Sequence, residues 1–209
     1  MREESERILA RFPEELKPEI YAVSFRIWRI DHDARRPYVA IGYNTESQFR
    51  RELGRQSNPA PGEARWNYAF WLLDGFETLG HVPEDPVGSA LYVEEVTARG
   101  LWYAGDERHE GDEGELPDGV RDGARDGVQD ERDTKDDSLG LHFADACTDL
   151  ARHLHTSGRL KEILGRPVPI VVFDMDCPGW EVEATEAANP PEVVADYVAY
   201  FAEGAAGHE

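Results

Sequence analysis

Between Ile20 and Tyr43 the side chains alternate in the way a pleated strand uses. Successive residues of a strand point to opposite faces, so Tyr21, Val23, Phe25 and Ile27 are expected on one face and Ser24, Arg26 and Trp28 on the other. The run from Tyr38 to Tyr43 alternates as well, and the turn-rich DHDARRP between the two predicts an antiparallel β-hairpin.

Helical spacing surrounds this hairpin. Residues 2–12 predict a short helix with Ile8, Leu9 and Phe12 as its apolar stripe. Thr45 and Gln48 form a capping box ahead of Phe49 and Leu53, with Gly54 as the stop, and 87–99 predicts another helix. Ser138 can cap a helix that aligns Phe143, Cys147, Leu150, Ala151 and Leu154 on one face. Residues 168–173 are apolar throughout, as a central strand would be. Asn189 with Glu192 makes a second capping box, Pro190 takes the first helical position, and Val194, Tyr197, Val198 and Phe201 form a stripe that ends near Gly204. The order of elements predicts one α+β domain over 1–209, with a mainly antiparallel sheet (the hairpin plus a late buried strand) covered on one side by helices.

One segment breaks the pattern. Residues 105–137 hold 14 acids against 5 bases and contain the near-repeat DGVR DGAR DGVQ DERD, from Asp118 to Asp133. A four-residue period with so little apolar surface suits neither helix nor strand, and it reads as a disordered acidic insertion. It lacks the spacing of a calcium-binding EF-hand loop or β-roll. The whole chain has 43 acidic against 22 basic residues, a formal charge of −21, of which this segment carries −9.

That acidity argues against nucleic-acid phosphates and anionic membranes as partners, since both are held by Lys and Arg. No apolar run is long enough for a signal peptide or a membrane span, and Cys147 and Cys177 suggest neither a disulfide framework nor a zinc site, so a cytoplasmic location is expected. Phosphate-loop, dinucleotide, nucleophile-elbow and HExxH motifs are missing, and no cofactor is expected.

The most enzyme-like string is VVFDMD. Asp174 and Asp176 at a strand end could hold a divalent metal or serve a phosphatase-like reaction. Only 33 residues follow Asp176, and a hairpin stands where a nucleotide-binding α/β unit would be needed, so the plainer reading is a strand ending in a polar turn at Pro178 and Gly179. His142 is the histidine that could join such a site; on a helix it shares a polar stripe with Asp149 and His153, though His153 lies about 16 Å farther along the axis. The aromatic string EARWNYAFW (63–71) is either core or an exposed anchor set for a protein partner, in which Arg65, Trp66, Asn67 and Trp71 would make the contacts.

RPYVAIGYNTESQF (36–49), EARWNYAFW (63–71) and the C-terminal PIVVFDMD and NPPEVVADYVAYF resemble a family of bacterial proteins of unknown function, similar to the small acidic α+β immunity proteins of polymorphic-toxin systems. The resemblance implies no catalytic residues. With the charge, it favours a non-catalytic protein-binding domain whose partner is a basic protein, such as a nuclease toxin. A metal-dependent hydrolase or transferase using Asp174, Asp176 and His142, and a housekeeping domain whose acidity is adaptation to salt, are the alternatives.

Overall fold

The hairpin forms as expected, with β1 (Ile20–Arg29) antiparallel to β2 (Pro37–Thr45). A short β3 (Glu77–Gly80) adds to β2 antiparallel, and β4 (Ile170–Asp174) adds to β1 in parallel, giving a four-stranded, mostly antiparallel sheet in the order β3-β2-β1-β4. This computed structural model describes residues 1–55, 59–73, 76–103, 123–176 and 179–206, with the backbone alone at 123–130 and 204–206. Eight helices are present among the described residues: α1 (Arg2–Ala10), α2 (Glu46–Leu53), α3 (Pro61–Trp66), α4 (Pro86–Ala98), α5 (Gly123–Thr156), α6 (Arg159–Leu164), α7 (Glu181–Ala188) and α8 (Pro191–Ala206). The class is α+β.

Helices cover both faces of the sheet rather than one. β4 makes the division plain: Ile170 and Val172 join one core with Phe25, Ile27 and Leu154, while Val171 and Phe173 join a second with Trp66, Trp71 and Tyr197. The first core is closed by α1, α5 and α6, the second by α3 and α8. Each fully buried Phe, Ile or Leu contributes about 1.5–3 kcal/mol.

Tyr21 departs from the expected alternation. The register slips by one residue between Ile20 and Ala22, a β-bulge that places Tyr21 on the Ala22 face. There it packs edge-on against Trp66 and Trp71 instead of beside Val23.

β4 is buried at every position, yet it is an edge strand, not a central one. Its open side is closed by α7 through two side chains one helical turn apart. Thr185 Oγ1 accepts from the Val172 N–H (3.0 Å) and donates to the Val172 carbonyl (3.2 Å). Asn189 Oδ1 accepts from the Ile170 N–H (2.7 Å), and Asn189 Nδ2 donates to the Ile170 carbonyl (2.8 Å). The Asn189 oxygen that was expected to cap the last helix is therefore engaged with β4 and with His155, and α8 starts at Pro191 without that capping box. The same helix runs on through Gly204 to Ala206.

The acidic segment is also corrected in part. The chain is helical from Gly123, so 123–137 belong to α5; 105–122 lie outside the described residues. Ser138 accordingly sits inside α5, where its hydroxyl donates back to the Thr134 carbonyl (2.8 Å), and caps nothing. The stripe from Phe143 to Leu154 is buried as its spacing predicts.

Candidate functional site

β1 and β4 run parallel, so their C-terminal ends open on the same side of the sheet, the place where crevices form in parallel arrangements. Arg29 ends β1, Asp174 ends β4, and the chain turns at Asp176. The Arg29 guanidinium meets Asp174 as a fork, Nη1 to Oδ1 at 2.7 Å and Nη2 to Oδ2 at 2.8 Å, with side chains only 5% and 1% exposed. Asp176 completes the knot. Its Oδ2 accepts from the Arg29 backbone N–H (3.0 Å), its own N–H donates to Asp174 Oδ1 (2.9 Å), and its Oδ1 lies 2.8 Å from His32 Nδ1.

The knot forms one wall of a cleft of about 450 Å³, whose other walls include Asp136 and Asp137 of α5, Leu141 and Trp180. Two features of the surroundings fit it closely. Gly140 of α5 passes so near that a Cβ there would stand 3.0 Å from Arg29 Nη2, and only a residue without a side chain leaves the fork undisturbed. Asp31 and His32 both hold φ at +55°, a left-handed conformation that costs a residue with a side chain, and this bend follows directly after Arg29. His32 is 82% exposed and lines the cleft. Beside Asp136, Tyr103 donates its hydroxyl to the carboxylate, and burial together with that charge pushes the phenol up to about 12.

Chemically the cleft offers a ligand a negative rim and an apolar wall. Asp174 is fully engaged by Arg29, so neither of its oxygens is presented as an open ligand. Among the described residues no group of three or more His, Cys, Asp or Glu is placed to hold a metal ion. Cys147 lies nearby in the first core; burial, with the Asp174 charge adding to it, pushes its thiol far above the ordinary value, which keeps it un-nucleophilic.

The residues singled out from sequence separate into three places. Asp174 and Asp176 do come together. His142 does not join them: it faces α4, 3.4 Å from Glu95, and is not part of the cleft lining. Of Arg65, Trp66, Asn67 and Trp71, the two tryptophans belong to the second core, and Arg65 and Asn67 are half-buried beside it. Trp66 and Trp71 are buried, and the Arg65 carbonyl accepts from both Tyr21 Oη and Trp71 Nε1 at 2.8 Å. The Arg65 guanidinium lies over the Tyr21 and Phe49 rings and pairs with Glu46, while Asn67 caps the turn at Tyr68–Phe70.

Arg29 and His32 are the site residues that sequence reasoning passed over. Arg29 had a signal, since it continues the buried face of Val23, Phe25 and Ile27, where a charge requires a partner. His32 had none, because its position depends on the bend at Asp31.

Comparison of the chain with protein-family models, with curated proteins and with solved structures gives no match.

Proposed function

We propose that this protein is a non-catalytic binding domain for a basic protein partner, acting in the cytoplasm, in the manner of an immunity protein that masks a cationic toxin. The observation that carries the reading is the state of the carboxylates at the cleft. Asp174 is neutralised within the fold by Arg29, whereas Asp137 stands exposed at the rim beside Leu141, which is itself largely exposed. A surface of that kind suits a lysine or arginine with an aliphatic stem more than it suits metal-assisted chemistry. The formal charge of −21 extends the same preference over the whole molecule, and complementary charge raises the rate at which such partners meet.

The test is co-expression with the proteins encoded beside it. A co-purifying complex is expected, with an association rate that falls about tenfold or more as the screening length shrinks from ~30 Å at 0.01 M salt to ~8 Å at 0.15 M. No complex and no protection against any neighbouring product would sink the reading.

One observation favours a second reading. His32 is exposed, oriented through Nδ1 by Asp176, and Asp176 is itself fixed by the Arg29 backbone. A histidine held in this way is the arrangement of a general base. Under this reading His32→Ala and Asp176→Asn would each lower turnover of a panel of ester and phosphoester substrates about 100-fold or more while leaving the fold intact. Absence of turnover in the parent protein removes it.

A further inference from the structure

α4 is apolar on two opposite sides. Tyr92 and Val96 face the first core, as the buried stripe of a surface helix should. Val87 and Leu91, one turn apart, lie on the other side and are 69% and 58% exposed. Apolar side chains on both sides of a helix are ordinarily covered on both sides, and here the outer one is open.

The open side looks into a groove of about 630 Å³ between the start of α1 and the start of α4, floored by Thr78 and Leu79 of β3. β3 is the outermost strand on this flank of the sheet. Across α4 a second hollow of about 740 Å³ is lined by Pro83, Ala90 and Val93, so the helix stands as an apolar ridge between two recesses.

The rim of the groove selects the occupant. Glu3, Glu4, Glu77, Glu84 and Asp85 line it, against one arginine, Arg7, which pairs with Glu4. Glu77 pairs with Arg11, and Asp85 is engaged in capping α4 through the Gly88 N–H. Glu3 and Glu84 have no cationic side chain against them among the described residues. A second copy of the chain docked here would set these acids against one another. A lipid surface would set them against anionic headgroups.

We propose that the groove between α1 and α4 is the docking surface for a lysine- or arginine-rich amphipathic segment of a partner protein, with an apolar side chain of that segment seated on Val87 and Leu91 and its cations against Glu3 and Glu84. This rests on the binding-domain reading and gives it a second contact surface, separate from the cleft at Asp174. The mode is that of an amphipathic helix laid in a groove, in which apolar anchors give affinity and flanking charge gives specificity.

The probe is an amphipathic helical peptide of leucine and lysine, about 18 residues long, titrated into the full isotope-labelled chain. Chemical-shift changes are expected at residues 77–79 and 84–91. A Val87→Ser, Leu91→Ser double variant, both sites being exposed and therefore compatible with folding, is expected to bind at least about tenfold more weakly. A peptide of equal charge with glutamine for leucine should be weakened to the same degree. The proposal is overturned if that glutamine peptide binds equally well, if the shifts centre on Asp136 and Asp137, or if the protein is a dimer in solution that Leu91→Glu dissociates. A native complex obtained by co-expression that survives the double variant overturns the groove and leaves the binding-domain reading standing. Failure of every co-expression overturns that reading, while the peptide titration still decides the groove.

Discussion

Replacing Asp174 by alanine is expected to destabilise the protein by about 3 kcal/mol, because it removes both acceptors of the buried Arg29 fork and leaves the guanidinium only the more distant carboxylate of Asp176, at 3.7 Å. For a chain of this length that corresponds to a fall in Tm of about 6–12 °C. The size of the effect follows from the geometry. Both oxygens of Asp174 accept from Arg29, and both side chains are almost wholly removed from water. Asp174→Asn should cost less, since the amide oxygen still accepts one bond, but it sets an NH2 group against a guanidinium that can only donate. The informative variant is Arg29→Met with Asp174→Leu, which removes both charges together. It is expected to recover most of the loss, as paired substitutions of buried ions by apolar side chains generally do. Urea denaturation of the two single variants and the double one gives the coupling directly. A single Asp174→Ala variant that loses less than about 1 kcal/mol would mean that Asp176 or water takes over the guanidinium.

Asn189→Ala is expected to cost about 2–4 kcal/mol, a large figure for a helix-end asparagine. The loss of an ordinary cap is about 1 kcal/mol. Here the side chain satisfies both polar groups of Ile170, and each buried peptide group left without a partner costs about 1–3 kcal/mol. Its amide also donates to the Thr185 carbonyl at 2.6 Å, so the end of α7 loosens with it. Thr185→Val keeps the shape and removes the hydroxyl from Val172, and a loss of about 1–2 kcal/mol is expected there. Hydrogen exchange separates an edge effect from a general loss of stability. Protection at the Ile170 amide should collapse in Asn189→Ala while that of Phe25 falls only by the change in global stability. Equal loss at both amides would refute the clasp.

Much of this architecture could be read from residue spacing. The hairpin, the helix at 2–12, the Thr45 cap and the stripe from Phe143 to Leu154 all depend on local periodicity, and all are present. What escaped depends on partners far away in the chain. The all-apolar run at 168–173 is what a central strand and an edge strand covered by a helix both look like, and only the Thr185 and Asn189 side chains tell them apart. Asn189 followed by Glu192 fits a capping box equally well, and the competing demand from Ile170 is invisible along the sequence. Tyr21 was placed on the wrong face because strict alternation has no means of showing a bulge. Ser138 looked like a helix start because the residues before it lack apolar spacing, which hides the backbone continuity of α5 from Gly123. Of the candidate site, Asp174 and Asp176 were legible as paired acids at a strand end. That a guanidinium 145 positions earlier occupies Asp174 was not.

The parallel pairing of β4 with β1 has a consequence for how the chain is made. Val23 meets Ile170, so the strand at the middle of the sheet waits until β4 has been made before its second flank closes. A nascent chain emerging at about 5–20 residues per second passes through an interval of many seconds in which the hairpin can form and β1 still presents an open, apolar edge. Such an edge is a template for pairing with other chains. Fragments ending before Ile170 are expected to aggregate, and a chain that includes β4 depends on a late, long-range closure that sets its folding among the slower mixed α and β topologies.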